Sequence, residues 1–126
     1  MQSNNVFVER RKHTRFKVKP GAYAVLSPNL IKLGQIIDIS IGGLAFRYIK
    51  YGVNELDHPD CDVLLYGKNM YVDRIPFDIV ADVKLSNPGI FSSVLMNKYS
   101  IKFKALNNEQ RKLLESFIKS HTDTDL

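Results

Sequence analysis

The sequence contains a single cysteine, Cys61, no tryptophan and no long apolar run. A lone cysteine cannot form an internal disulfide, and its presence favours a reducing compartment. No apolar stretch approaches the roughly 18 residues that cross a bilayer. The first residues, Met1 to Asn5, lack the basic and apolar regions of a signal peptide. We therefore expect a cytoplasmic protein that does not insert into a membrane.

The composition is that of an ordinary globular protein, with 44% hydrophobic and 25% charged residues in a chain of 126. One domain of this size buries roughly two-thirds of the surface that its unfolded chain exposes. It can therefore fold without a disulfide or a structural metal. The length predicts one domain, with room for a short arm.

The net charge of +5 is confined to one segment. Residues 9–19 hold six of the 18 basic residues and one of the 13 acidic residues, and the twelve basic and twelve acidic residues elsewhere cancel. A nucleic-acid-binding groove needs positive charge over an extended face. The sequence therefore predicts a local anion site. The alternative is a solvated terminal arm that binds nothing.

Alternation of apolar and polar residues dominates the middle of the chain and predicts strands with one buried face. The clearest case is 76–86, and its predicted buried face consists of Phe77, Ile79, Ala81, Val83 and Leu85. Six strands are predicted, at 22–27, 33–39, 43–50, 61–66, 76–86 and 99–105. Six short strands of this kind favour a mainly β fold, a six-stranded antiparallel β-barrel, because closure removes exposed edges.

The C-terminal region predicts a helix instead. Asn107 or Asn108 can cap a helix that runs from Glu109 to about Ser120. Its apolar stripe consists of Leu113, Leu114, Phe117 and Ile118. We expect this stripe to cover the open mouth of the barrel. The predicted organisation is a flexible N-terminal arm at 1–17, the barrel and helix at 18–120, and a frayed tail at 121–126.

The basic arm carries two arginines separated by three residues, Arg11 and Arg15, with Arg10 directly before them. A guanidinium group offers a planar fork of donors that matches a phosphate or the O6/N7 edge of guanine. Arginines four residues apart can reach one ligand from a single arm. These side chains are candidate binding residues.

A second candidate segment begins at Asp38, which can accept hydrogen bonds from guanine N1–H and the exocyclic N2 amine. Ser40 adds a small hydroxyl. Gly42 and Gly43 permit a positive φ and a close approach of backbone N–H groups to an anion. A ligand that contains both guanine and phosphate would engage both segments.

The order Arg11-x-x-x-Arg15 followed by Asp38-x-Ser40-x-x-Gly43 resembles the PilZ domain, a bacterial receptor family for the second messenger cyclic di-GMP (c-di-GMP). The resemblance covers roughly residues 9–120. It extends to Glu9-Arg-Arg11, to Gly43-Leu-Ala-Phe46, and to Tyr99 to Phe103 followed by a short helix. One departure is that Ser100-Ile-Lys102 stands where the family often has a glycine.

The resemblance implies that Arg11 and Arg15 bind guanine and phosphate from the arm, while Asp38, Ser40 and Gly43 form the barrel side of a nucleotide-binding site. It also connects the residue before the first motif arginine, Arg10, with the number of ligand molecules held. The implied function is a c-di-GMP-binding receptor or adaptor, not an enzyme, without a cofactor. Its arm would close on the ligand and signal to a downstream protein.

A metal site and a catalytic triad are two further candidates in the sequence, and neither is favoured. The stretch from Asp57 to Asp62 holds five potential metal ligands, but zinc sites usually draw ligands from separate elements, so a polar turn is favoured and no metal is expected. Ser40 with Asp38 and His13 lacks the glycine of a nucleophile elbow, so no catalytic residue is assigned.

Two rival functions stay open. The chain could be a PilZ-type adaptor that acts through protein contacts without a ligand. It could also be a small RNA- or single-strand-binding barrel, with Lys102 and Lys104 beside Tyr99 and Phe103. Alternation places those aromatic residues opposite the lysines, in the core, and residues 20–126 carry no net charge. No nucleic-acid partner is therefore expected.

Overall fold

A computed structural model describes residues 13–27, 32–49, 62–85 and 96–123. Within these ranges the chain forms seven strands followed by one helix. The elements are β1 (Phe16–Lys17), β2 (Tyr23–Ser27), β3 (Leu33–Ser40), β4 (Gly43–Ile49), β5 (Asp62–Gly67), β6 (Met70–Lys84), β7 (Met96–Phe103) and α1 (Asn108–His121).

Strands β2 to β7 close into a six-stranded antiparallel barrel, which confirms the predicted fold. The order is β3-β2-β5-β6-β7-β4, and β4 returns to pair with β3. The short strand β1 pairs with β3 as well, with Phe16 opposite Ile39 and Lys17 opposite Asp38. The last two residues of the predicted arm are thus attached to the barrel. The prediction that the arm is flexible concerns mainly residues 1–12, which lie outside the described ranges.

The core follows the alternation of β7 and β4. Tyr99, Ile101 and Phe103 of β7 are buried, as are Phe46 and Tyr48 of β4. The aromatic residues of β7 therefore belong to the barrel interior, while Lys102 and Lys104 are exposed on its outer side. No face of stacked aromatic and basic residues forms there.

Strand β6 is longer than the sequence indicated, because its first half, 70–75, was not predicted. It begins after a tight hairpin in which Lys68 and Asn69 adopt φ values of 49° and 60°, as turns of this length require. Arg74 also has a positive φ, 57°. The register with β5 shifts between Val63 and Leu65. These irregularities interrupt the period-two pattern on which the prediction depends.

The second half of β6 corrects another expectation. Ile79 and Val83 were predicted to be buried but are 50% and 53% exposed. A bulge between Ile79 and Ala81 shifts the register with β7 and leaves Val80 60% exposed. Beyond Pro76, β6 pairs with β7 and no longer with β5 among the described residues. Side chains there lie at the margin of the barrel, where burial is incomplete.

Helix α1 begins at the predicted cap. Asn107 accepts a hydrogen bond from the backbone N–H of Gln110, whose side chain accepts one from the Asn107 N–H in return, which completes a capping box. The buried face consists of Leu114, Phe117, Ile118 and His121. Leu113 was predicted to belong to this stripe but is 43% exposed, because neighbouring helix positions differ by about 100° in direction.

The helix is fixed to the barrel at both of its ends. Gln110 Nε2 donates to the carbonyls of Asp73 and Arg74, at 3.3 and 3.1 Å. At the other end, Lys19 N donates to the His121 carbonyl at 2.8 Å, and Thr122 is buried. Two residues that the sequence placed in the tail thus belong to the packed domain.

The apolar face of α1 joins the same core cluster as the barrel strands, as predicted for a helix that covers the mouth. No helix within the described ranges is both long enough and apolar enough to span a membrane.

Candidate nucleotide-binding site

The site is built around the two-residue turn between β3 and β4, which consists of Ile41 and Gly42. Ser40 Oγ accepts a hydrogen bond from Gly42 N at 3.0 Å and donates to the Gly43 carbonyl at 3.3 Å. The Ser40 side chain is nearly inaccessible, since the residue is 3% exposed. In this arrangement the serine hydroxyl stabilises the turn, and the Gly42 N–H already has a partner.

Gly42 in the turn and Gly43 at the start of β4 matter for close packing. Glycine permits a positive φ at both positions, but among the described glycines only Gly21 has one. A Cβ at position 42 would lie 2.6 Å from His13 Cδ2, and one at position 43 would collide with the Ile101 carbonyl. Glycine therefore allows the His13 ring to lie against the turn and allows β7 to approach β4.

The arm and the barrel meet in an ion pair between Arg15 and Asp38. Arg15 Nη1 lies 2.8 Å from Asp38 Oδ1, and the two side chains are 18% and 22% exposed. The pairing of β1 with β3 creates this contact, because it places Lys17 opposite Asp38 and so holds Arg15 nearby. No donor from the described residues reaches Asp38 Oδ2. The pair therefore presents a carboxylate acceptor beside a guanidinium donor.

A groove of about 610 Å³ adjoins the turn. Its motif side includes His13, Arg15, Ser40 and Gly42. The remaining lining residues are Ile41, Val80, Lys102, Phe103, Lys104, Ala105, Leu106 and Arg111. A lining that combines apolar side chains with a few polar and charged groups is typical of small-molecule sites, and the four cations in it favour an anionic ligand.

Three cations of this groove were not identified from the sequence as site residues: Lys102, Lys104 and Arg111. Lys102 lies opposite Gly43 in the β4–β7 register, and Arg111 lies in the first turn of α1. The alternation of β7 predicts that both lysines face outward. Only the strand register, which the sequence does not reveal, shows that this outward face adjoins the glycine turn.

Other predicted residues are placed as follows. Arg10 and Arg11 lie outside the described residues, as does 57–61 of the metal segment. No hydrogen bond between the described side chains joins Ser40 to His13. The Ser40 hydroxyl contacts the backbone of its own turn, and Asp38 contacts Arg15. The three residues therefore do not form a catalytic triad.

Comparison with solved structures supports the fold. The PilZ domain of YcgR with c-di-GMP, from Escherichia coli, is 16% identical, with 90% of this chain and 92% of that one covered and a TM-score of 0.67. The MrkH–c-di-GMP complex of K. pneumoniae is 19% identical, with 90% and 52% covered and a TM-score of 0.65. A structure of YcgR with c-di-GMP from E. coli is 16% identical, with 90% of this chain and 46% of that one covered and a TM-score of 0.59.

The chain thus spans about half the length of the two longer proteins. At such identities the likeness establishes the shared fold alone. A comparison with curated protein sequences found no match. The family model described as "PilZ domain" matches residues 9–120, which is most of the chain. Together with the six-stranded barrel and its C-terminal helix, this match shows that the chain belongs to the PilZ domain family.

Proposed function

We propose that the protein is a receptor for c-di-GMP. The observation that carries the proposal is the Arg15–Asp38 pair, since it joins the two sequence motifs. Arg15 also lines the groove, whereas Asp38 is not among the residues that line it. The YcgR PilZ domain and MrkH structures, which share the fold, are complexes with c-di-GMP. A receptor requires no catalytic group, and we assign none.

In this proposal the Arg15–Asp38 ion pair recognises guanine. Asp38 Oδ2 can accept from guanine N1–H or from the N2 amine, while the remaining N–H groups of Arg15 can donate to O6 or N7. Adenine lacks the N2 amine and an N1–H, so it would leave the carboxylate unsatisfied. Asp38 therefore supports discrimination between bases, and Arg15 contributes to binding strength.

In this proposal the N-terminal arm binds the phosphates. Because the Gly42 N–H is bonded to Ser40, this amide is not free for an anion unless the turn changes. Arg11 and Arg10, which precede the described residues, would supply the additional guanidinium groups. Gly42 and Gly43 would contribute indirectly, by allowing the His13 ring to lie against the turn and β7 to pack against β4.

The proposed signalling step is closure of the arm. The arm would be mobile without ligand and would order over bound c-di-GMP, and the closed arm would form a new surface for a downstream protein. The described attachment of Phe16 and Lys17 to β3 supplies a fixed point for this movement.

The direct test is calorimetric titration of the protein with c-di-GMP, with cyclic di-AMP, GTP and a short RNA as controls. We expect saturable binding of c-di-GMP and weak or no binding of the other three. Binding of the RNA alone would favour the single-strand-binding function. Absence of binding to any of the four would favour a ligand-independent adaptor.

Variants then test the residues. We expect Arg11→Ala or Arg15→Ala to weaken c-di-GMP binding by about 1–3 kcal/mol, or roughly 10- to 100-fold. Arg47→Ala is the matched control, because Arg47 is exposed on β4 and does not line the groove. Asp38→Ala should reduce the preference for c-di-GMP over cyclic di-AMP. An unchanged preference would contradict the role of Asp38.

A further inference from the structure

We propose that Lys102 and Arg111 form a second anion-binding wall of the groove, beside the motif residues, and that this second wall binds a phosphate of c-di-GMP. The inference rests on the proposed function and extends the site to β7 and α1. Neither residue belongs to the two sequence motifs.

Position supports this assignment. Lys102 and Arg111 line the same groove as Arg15 and Ser40. The cross-strand partner of Lys102 on β4 is Gly43, which has no side chain. The missing side chain lets the β7 backbone lie directly against β4 at this point, which places Lys102 beside the glycine turn. Both cations are solvent-exposed, as a group that contacts an incoming ligand must be.

The distribution of acids supports it as well. On the motif side, Arg15 is already paired with Asp38. Outside the motifs, Asp78 Oδ1 lies 3.7 Å from Lys104 Nζ, and Asp78 is also the cross-strand partner of Lys102 on β6. No carboxylate in the described part of the chain forms an ion pair with Lys102 or Arg111. One carboxylate near three cations leaves a net positive charge on this part of the groove.

Arg111 is also placed unfavourably for the helix itself. The first turn of a helix carries partial positive charge, which stabilises acidic side chains and disfavours cations. Glu109 follows this preference, and Arg111 opposes it. The helix dipole therefore does not favour a cation at this position, whereas an anion bound by Arg111 would offset the repulsion.

The ligand has the matching chemistry. A cyclic dinucleotide carries two phosphates, so a molecule held through one half by the Arg15–Asp38 pair has a second phosphate that needs a partner. The cations of β7 and α1 would supply it.

The experiment is titration with c-di-GMP at several NaCl concentrations, using the full chain and the variants Lys102→Gln and Arg111→Gln. We expect each variant to bind about 3- to 10-fold more weakly at low salt and to show a smaller loss of affinity as salt is added. Lys102→Arg, which keeps the charge, should restore most of the affinity. Matched controls are Lys98→Gln on the same strand and Lys112→Gln, next to Arg111 on the helix; neither lines the groove.

The outcomes separate this inference from the proposed function. If the unmodified protein binds c-di-GMP and the Lys102 and Arg111 variants bind it equally well, the second wall is wrong and the receptor assignment stands. If the two control variants weaken binding as much as these variants do, the effect is one of net charge and the second wall is again wrong. If the unmodified protein does not bind c-di-GMP, both proposals fail.

Discussion

The ion pair between Arg15 and Asp38 should be measurable without any ligand. Its 2.8 Å separation and exposures of 18% and 22% place it between two known regimes. Exposed pairs contribute about 0.2–1 kcal/mol, whereas removing one partner of a fully buried pair costs about 3–5 kcal/mol. We therefore expect Arg15→Ala and Asp38→Ala each to lower the free energy of unfolding by about 1–2 kcal/mol, with a coupling near 1 kcal/mol.

Urea unfolding of the unmodified protein, the two single variants and the double variant closes the thermodynamic cycle. The double variant should lose about 1 kcal/mol less than the sum of the single losses. Cycles at Lys104–Asp78 and Lys19–Asp123 serve as controls. Their separations are 3.7 and 2.9 Å, and at least 48% of each side chain is exposed. A coupling for Arg15–Asp38 no larger than in these cycles would refute the inference that the arm is held to the barrel by this contact.

Three further predictions concern the arm and the core. Calorimetry should give two c-di-GMP molecules per chain at saturation and one for Arg10→Leu; saturation at one in the unmodified protein would contradict this role of Arg10. Amide exchange across residues 10–12, which precede the attached strand β1, should be fast in the free protein and slow when ligand is bound, and slow exchange in both states would exclude a closing arm. Phe117→Ala should reduce unfolding free energy by about 3–5 kcal/mol in urea, against less than about 1 kcal/mol for the half-exposed Leu113→Ala; equal losses would contradict the observed helix orientation.

Local pattern was sufficient to predict the barrel where strands are regular. In β7 every second side chain is buried, so Ile101 could be assigned to the core from alternation alone. Alternation also assigned Phe46 of β4, but it did not indicate that Ala45 beside it is buried as well. In β6 the bulge after Ile79 and the positive φ of Arg74 interrupt that pattern. Arginine does not indicate a positive φ, so the first half of β6 was not predicted, and isoleucine does not indicate a bulge, so the exposure of Ile79 was not expected.

The candidate site divides in the same way. Asp38 and Arg15 could be named because each belongs to a contiguous motif. Lys102 and Arg111 could not, because their proximity to the turn depends on the register between β4 and β7 and on the docking of α1. Ser40 was identified as a site residue, but its contact with the backbone of the turn could not be predicted from its hydroxyl alone.

The hydrogen bond from Lys19 to His121 brings the segment that enters the barrel against the segment that leaves it. A domain whose entry and exit points are neighbours can be inserted into a surface loop of another protein without separating the ends of that loop. The same proximity makes circular permutation feasible, with a short linker that joins the two ends. Such a permuted chain would carry new termini in another loop, and the arginine arm would become an internal loop tethered on both sides.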